Sequence, residues 1–166
     1  MTELTTQVSA LLKEVAEQAI LPQYRALHSD QIQEKEPGDY VTSADLASEA
    51  MLKKGLTSLL PGSQVVGEEE ISANPGLLDD LDDESPIWVI DPLDGTINFV
   101  NGVRGFAVQL ALVENNVTTK ITATETTTHV IHAVVLKCFY RRFCFINRGI
   151  IEIRVITIHY LGTSIR

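Results

Sequence analysis

The stretch Ile87-Trp88-Val89-Ile90-Asp91-Pro92-Leu93-Asp94-Gly95-Thr96-Ile97-Asn98-Phe99 decides how this chain is read. Four apolar residues, Ile87 to Ile90, have the pattern of a buried strand that stops at an aspartate. Pro92 has no N–H to give a ladder, so the strand is expected to end there. Asp94 follows, and Gly95-Thr96 offers a tight turn with a hydroxyl beside it. Two carboxylates this close repel unless a cation lies between them. Hard oxygen donors suit Mg²⁺, which leaves part of its coordination to water and substrate phosphate. The expectation is a metal and phosphate site at a strand end.

Working outward, Gln64-Val65-Val66 forms a second short strand that runs into Gly67-Glu68-Glu69-Glu70. In a layered α/β sandwich the two strands lie side by side, which gathers Glu68, Glu69, Asp91 and Asp94. Cations held there would neutralise a phosphate and activate a water, the requirements of phosphoester hydrolysis. Spacing alone leaves a plainer alternative: Asp-x-x-Asp-Gly is a common turn, and clustered glutamates are usually a solvated face.

The rest of the first two-thirds alternates helix and strand. Leu4, Val8, Leu11, Leu12, Val15, Ala19 and Ile20 recur at helical spacing, with Thr2 or Thr5 as N-cap and Pro22 as kink or stop. Lys35 to Asp39 reads as a polar loop containing Pro37-Gly38. Thr42 and Asp45 open a helix as a capping box, Leu52, Leu56, Leu59 and Leu60 give it a buried stripe, and Pro61-Gly62 ends it. Residues 74–86 are acidic and read as a mobile loop. Phe106, Val108, Leu110 and Leu112 alternate along a further strand, followed by a hairpin turn at Glu114-Asn115-Asn116.

Three ordered segments together resemble the inositol monophosphatase family. Gly67-Glu68-Glu69 and then Trp88 to Phe99 resemble its first signature, W-x-x-D-P-[IL]-D-G-T-x-N-F preceded by G-E-E. Val41-Thr42-Ser43-Ala44-Asp45, with Lys35 and Asp39 upstream, resembles its K…D-x-V-T-x-x-D segment, and Phe106 to Leu112 resembles the strand after the signature. The resemblance covers residues 1–117. It implies an α+β fold, the N-terminal half of a layered α/β sandwich of the sugar-phosphatase type. It implies Mg²⁺ as cofactor, a small phosphate monoester such as inositol monophosphate as substrate, and a homodimer. Position by position, Glu68, Asp91, Asp94 and the Leu93 carbonyl would ligate metal. Asp94, Gly95 and Thr96 would bind substrate, and Asp45, Thr96 and Glu68 would act on the attacking water. Glu69 would support them from behind, with Lys35 nearby.

Composition changes after residue 117. Residues 1–117 hold 20 acidic and 6 basic side chains, whereas residues 118–166 hold 2 and 7, within an overall charge of −9. No aspartate follows Asp94, and Trp88 is the only tryptophan, so the family's second signature, W-D-x-A-A, is missing. The tail reads as a divergent, basic, β-rich segment, truncated or frame-shifted, with strands expected at Val130–Leu136, Phe143–Ile146 and Ile150–Ile158. Catalysis is therefore expected to be impaired; the alternative is an inactive remnant that binds metal or acts through protein contacts.

Other classes are disfavoured. The net negative charge argues against a nucleic-acid footprint, and Arg141-Arg142 sits in a strand-like context. His129, His132, Cys138 and Cys144 lack the paired spacing of a structural zinc site. No run approaches the ~18 apolar residues of a membrane span. Two cysteines make no disulfide framework, so the expected setting is a reducing cytoplasm.

Overall fold

The computed structural model describes residues 3–81, 84–114 and 117–119. Helix α1 (Glu3–Val15) buries Val8, Leu12 and Val15. Thr5 lies inside it rather than capping it. The helix then widens into a π-helical turn over Ala16–Ile20 and tightens into a 3₁₀ turn at Leu21–Gln23. Pro22 explains the change, since it cannot donate back to the preceding turn. The Gln23 side chain donates to the Ala19 carbonyl instead, at 2.8 Å.

The expected loop around Lys35 is in fact a hairpin. Strands β1 (Ile32–Glu36) and β2 (Asp39–Thr42) pair antiparallel, turning at Pro37-Gly38 with Gly38 at φ +85°. Gln33, Glu34, Lys35 and Glu36 have weak strand propensity, so the backbone ladder rather than side-chain pattern makes this strand.

Helix α2 (Ser43–Leu59) starts at the expected capping box. Thr42 accepts from the Ala44 N–H, and the Asp45 carboxylate accepts from the Thr42 N–H. Ala44, Ser48, Leu52 and Leu56 form a fully buried stripe along it. Strand β3 (Gln64–Gly67) follows, then a short helix α3 (Glu68–Ala73). A 3₁₀ turn occupies Pro75–Asp80 within the expected acidic loop.

Strand β4 runs Ile87–Asp94, past the proline expected to end it. The ladder to β5 (Ala107–Glu114) shifts register between Asp91 and Asp94, so the chain stays extended around Pro92 without using its missing N–H. Helix α4 (Thr96–Val100) and β6 (Val117–Thr119) complete the described elements. The sheet order is β3-β4-β5-β6, with β3 parallel to β4 and the other pairs antiparallel. The expected hairpin after Glu114 is present as the β5–β6 pair. Asn115, Asn116 and the strands expected in the tail lie outside the described residues.

One sheet face supplies Trp88, Ile90, Val108, Leu110 and Leu112 to the core shared with α1 and α2. Burying each large side chain contributes about 1.5–3 kcal/mol. The Trp88 ring N–H is satisfied by Ser63 Oγ at 3.1 Å. Tyr24, Phe99 and Phe106 pack ring on ring and close the end of the core under α4. The result is an α+β layered arrangement, as expected.

Ser48 is the polar exception in the α2 stripe. Its hydroxyl is fully buried and has no hydrogen-bond partner among the described residues. Ser48→Ala removes that unmet desolvation cost and is expected to stabilise the chain by about 1 kcal/mol. Thermal melting should register this as a rise of roughly 2–4 °C; a lower melting temperature would contradict it.

Candidate active site

The parallel pairing of β3 with β4 sets Gly67 opposite Ile90, so the two chains leave the sheet together at Glu68 and Asp91. Glu68 is the exposed first residue of α3, and its carboxyl lies close enough to Asp91 to raise that group's pKa. The Leu93 N–H donates to Asp91 Oδ1 at 3.2 Å, which folds the backbone around the carboxylate. Glu68, Asp91, Leu93, Asp94, Gly95 and Thr96 all line one open cavity of about 200 Å³, roofed by Gly38, Asp39 and Tyr40 of the hairpin. A larger cavity, about 400 Å³, lies at Arg25, Leu27, Ile32 and residues 99–102 and contains no carboxylate. The smaller one holds the candidate site residues.

Asp45 is placed behind that cavity rather than in it. It is 1% exposed, on the first turn of α2. Its Oδ2 accepts from the Thr42 N–H at 2.9 Å and the Thr42 hydroxyl at 2.5 Å. Its Oδ1 lies 3.1 Å from Thr96 Oγ1, which is also 2.9 Å from the Leu93 carbonyl. The Thr96 hydroxyl has one proton and two acceptors, so it can donate to either and connects the cavity to the buried aspartate. Burial pushes the Asp45 pKa up, against the opposing pull of the Thr42 and Thr96 bonds.

Gly95 makes the turn that carries Thr96 there. It sits at φ +83°, and a Cβ would come within 2.6 Å of the Gly105 carbonyl oxygen. No other residue meets both conditions without strain.

Asp91 is the electrostatic focus. Burial, then the charges of Glu68 and Asp94, then the Glu68 hydrogen bond push its pKa up to about 8. Its proton is thus held well above the ordinary carboxylate range. That is what crowded carboxylates do when no cation compensates them. The donors are hard oxygens, and a divalent cation would remove the conflict, so this pair fits a metal such as Mg²⁺. The fit is incomplete on the far side. Among the described residues no three Asp, Glu, His or Cys side chains converge as a ready metal cage. Asp94 is exposed, lines the same cavity and takes a 2.6 Å hydrogen bond from Gln109.

Around Glu68 the neighbouring acids are engaged. Glu69 is buried and bonds Lys35 Nζ at 3.1 Å, with Asp39 3.5 Å from the same ammonium. Burial pulls Lys35 down, but the Glu69 bond and the charges of Glu69, Asp39 and Glu68 outweigh it and the net shift is upward. Glu69 also moves upward because its burial exceeds what Lys35 returns. Lys35 thus lies beside Glu69 rather than in a solvated loop.

Two residues were not singled out in the sequence. Gln109 pairs with Asp91 across the ladder and reaches Asp94, which an alternating strand pattern does not reveal. Glu49 accepts the Glu69 and Glu70 N–H groups. Its signal was available: it lies one helical turn after Asp45, on the same face.

With this geometry in hand, comparison with known proteins is direct. Residues 1–123 match the family described as the inositol monophosphatase family, and the chain belongs to it. The inositol-1-monophosphatase of Caulobacter vibrioides is 39% identical over 82 residues, covering 49% of this chain and 30% of that protein. The Nus factor SuhB of Pseudomonas aeruginosa is 40% identical over 81 residues, covering 48% and 28%. An IMPase of Thermotoga maritima superposes with a TM-score of 0.55 at 27% identity, over 67% of this chain and 39% of that one. The chain matches well under half the length of these relatives. Among the described residues no helix is long and apolar enough to cross a membrane.

The Asp91 shift has a signed consequence. Its folded pKa lies near 8 against 3.8 for the free side chain, so the folded chain holds the proton more tightly than the unfolded one. Folding of the cation-free protein carries no penalty from Asp91 below the lower value, and the penalty grows as pH rises toward the upper one. Asp91→Asn is therefore expected to gain stability relative to the parent as pH is raised from about 5 to 8 in chelator. Denaturant titrations at the two pH values check this; an unchanged difference would refute it.

Proposed function

We propose that this chain carries the metal-binding and water-activating half of a phosphoric monoester hydrolase acting on small phosphorylated molecules, inositol monophosphate among them. The observation that supports it most is the Asp45–Thr96–Leu93 hydrogen-bond set, formed across 51 residues of sequence, directly behind the Glu68–Asp91 pair.

Glu68, Asp91 and the Leu93 carbonyl would hold Mg²⁺, with Asp94 joining after turning from Gln109. The cation would supply charge for the phosphate and lower the pKa of a bound water. The protein's own part is proton handling. Thr96 Oγ1 faces the cavity and can accept a hydrogen bond from a water there while donating to Asp45 Oδ1. A proton leaving the water then passes through Thr96 to Asp45, whose raised pKa suits it to receive one. Gly95 and Thr96 offer the substrate phosphate a turn that no side chain obstructs.

A second reading is cation binding without turnover. It is favoured by the lack of a third converging carboxylate among the described residues and by Asp94 facing Gln109. One matched relative is named a Nus factor, so membership of the family does not by itself fix the reaction. Slow turnover is the expectation for this chain, since among the described residues no third acid converges on the Glu68–Asp91 pair.

Phosphate release from inositol monophosphate with Mg²⁺ tests the first reading. The parent chain is expected to show slow, Mg²⁺-dependent release, and Asp91→Asn to lose at least about tenfold of it, comparable to losing a metal contact. Equal rates would sink the hydrolase reading. Calorimetry with Mg²⁺ tests the second: heat of binding in the parent, lost in Asp91→Asn, with no phosphate released, is what it requires.

A further inference from the structure

Glu49 is a buried acid to which the mechanism above gives no part. It lies on α2, four residues after Asp45, and is only 7% exposed. Its two oxygens are both used: Oε2 accepts the Glu69 N–H at 3.0 Å and Oε1 accepts the Glu70 N–H at 3.1 Å. These are the second and third residues of α3, whose first is Glu68. The carboxylate also lies against Gly67, where a Cβ would fall 2.2–2.6 Å from its carboxyl atoms. Gly67 is therefore glycine for Glu49, since its own backbone is ordinary extended chain at φ −106°. One carboxylate thus bonds the two amides that follow Glu68 and packs against the glycine that precedes it.

We infer that Glu49 is a positioning residue for the cation site: by clamping the Glu69 and Glu70 amides over Gly67 it fixes the first turn of α3 and aims Glu68 at Asp91. This rests on the reading of Glu68 and Asp91 as cation ligands. Three features set the clamp apart from ordinary helix capping. It comes from another helix, not from the residue preceding α3, so it sets where α3 sits as well as how it begins. It is bidentate, which fixes orientation and not only distance. Finally, Lys53, the next residue along the same α2 face, bonds Glu70 and pins the same turn from its far side.

Glu49→Gln is the informative substitution, because it keeps size and shape. A carboxamide offers one oxygen to one N–H and turns its NH₂ toward the other, so one grip is replaced by a clash of donors. Gly67→Ala is the independent variant: it leaves Glu49 in place chemically but forces its carboxylate away. Leu12→Ala, in the buried stripe of α1, serves as a control that costs stability outside α2 and α3.

Mg²⁺ affinity is to be measured by calorimetry for the full chain and all three variants, with melting temperature for each. Glu49→Gln and Gly67→Ala are expected to weaken Mg²⁺ binding by roughly tenfold or more, the usual scale for groups that orient a ligand from behind. Leu12→Ala is expected to lower the melting temperature and leave affinity within about twofold of the parent, since distant sites act independently. If the parent binds Mg²⁺ through Asp91 but Glu49→Gln and Gly67→Ala bind equally well, the positioning role is wrong and the site stands. Equal binding by parent and Asp91→Asn would overturn the cation site and the role of Glu49 with it.

Discussion

The register of helix α2 against the sheet is the constraint on which the rest depends. Its apolar stripe, Ala44, Leu52 and Leu56 with Ser48 between, is locked into the core and permits no rotation. One residue further round lies a second stripe at the same spacing: Asp45, Glu49 and Lys53. Because the first stripe cannot turn, the second is aimed as well. Asp45 meets Thr96 at the end of β4, Glu49 meets the start of α3, and Lys53 meets Glu70. Burying two carboxylates so deeply is costly unless each oxygen is hydrogen-bonded, and each is.

The sheet adds a local conflict that the helix does not relieve. Parallel pairing of β3 and β4 brings Glu68 to Asp91, and among the described residues no Lys or Arg forms an ion pair with either. The nearest cation, Lys35, is held by Glu69 and Asp39. The positive charge around the site is thus spent on the residues that hold the fold, while the pair facing the cavity has no basic partner among the described residues. A fold that merely minimised its energy would put a lysine there. An arrangement that tolerates the clash is what a cation-binding function requires, and local frustration of this kind concentrates at functional sites.

Much of this was legible in the sequence, for identifiable reasons. The capping box at Thr42 and Asp45, the α2 stripe and the alternation of Phe106 to Leu112 are period and cap signals that packing then reinforced. Glu68 beside Asp91 followed from reading two short apolar strands as neighbours. What escaped was set by the backbone or by distance. Strand β1 has almost no apolar pattern and exists because β2 lies beside it. Strand β4 outruns Pro92 because a register shift accommodates the ring, which no local rule announces. The bond from Gln109 to Asp94, across 15 residues of chain, is likewise a product of strand pairing that no local pattern announces.

The surroundings of Glu68 explain why it, among three consecutive glutamates, is the one available to a ligand. Isolated, Glu68-Glu69-Glu70 is three like charges on one helical turn, which should splay into solvent. In the fold the second is buried under Lys35 and the third is drawn sideways to Lys53. Their amides are held from below by Glu49. The turn therefore cannot rotate to exchange one glutamate for another at the cavity, and the acidic run that looked like a solvated face becomes three distinct positions. Charge composition could not have separated them; only the partners do. The identity of the exposed acid is thus a property of α2 and the β1–β2 hairpin as much as of α3 itself.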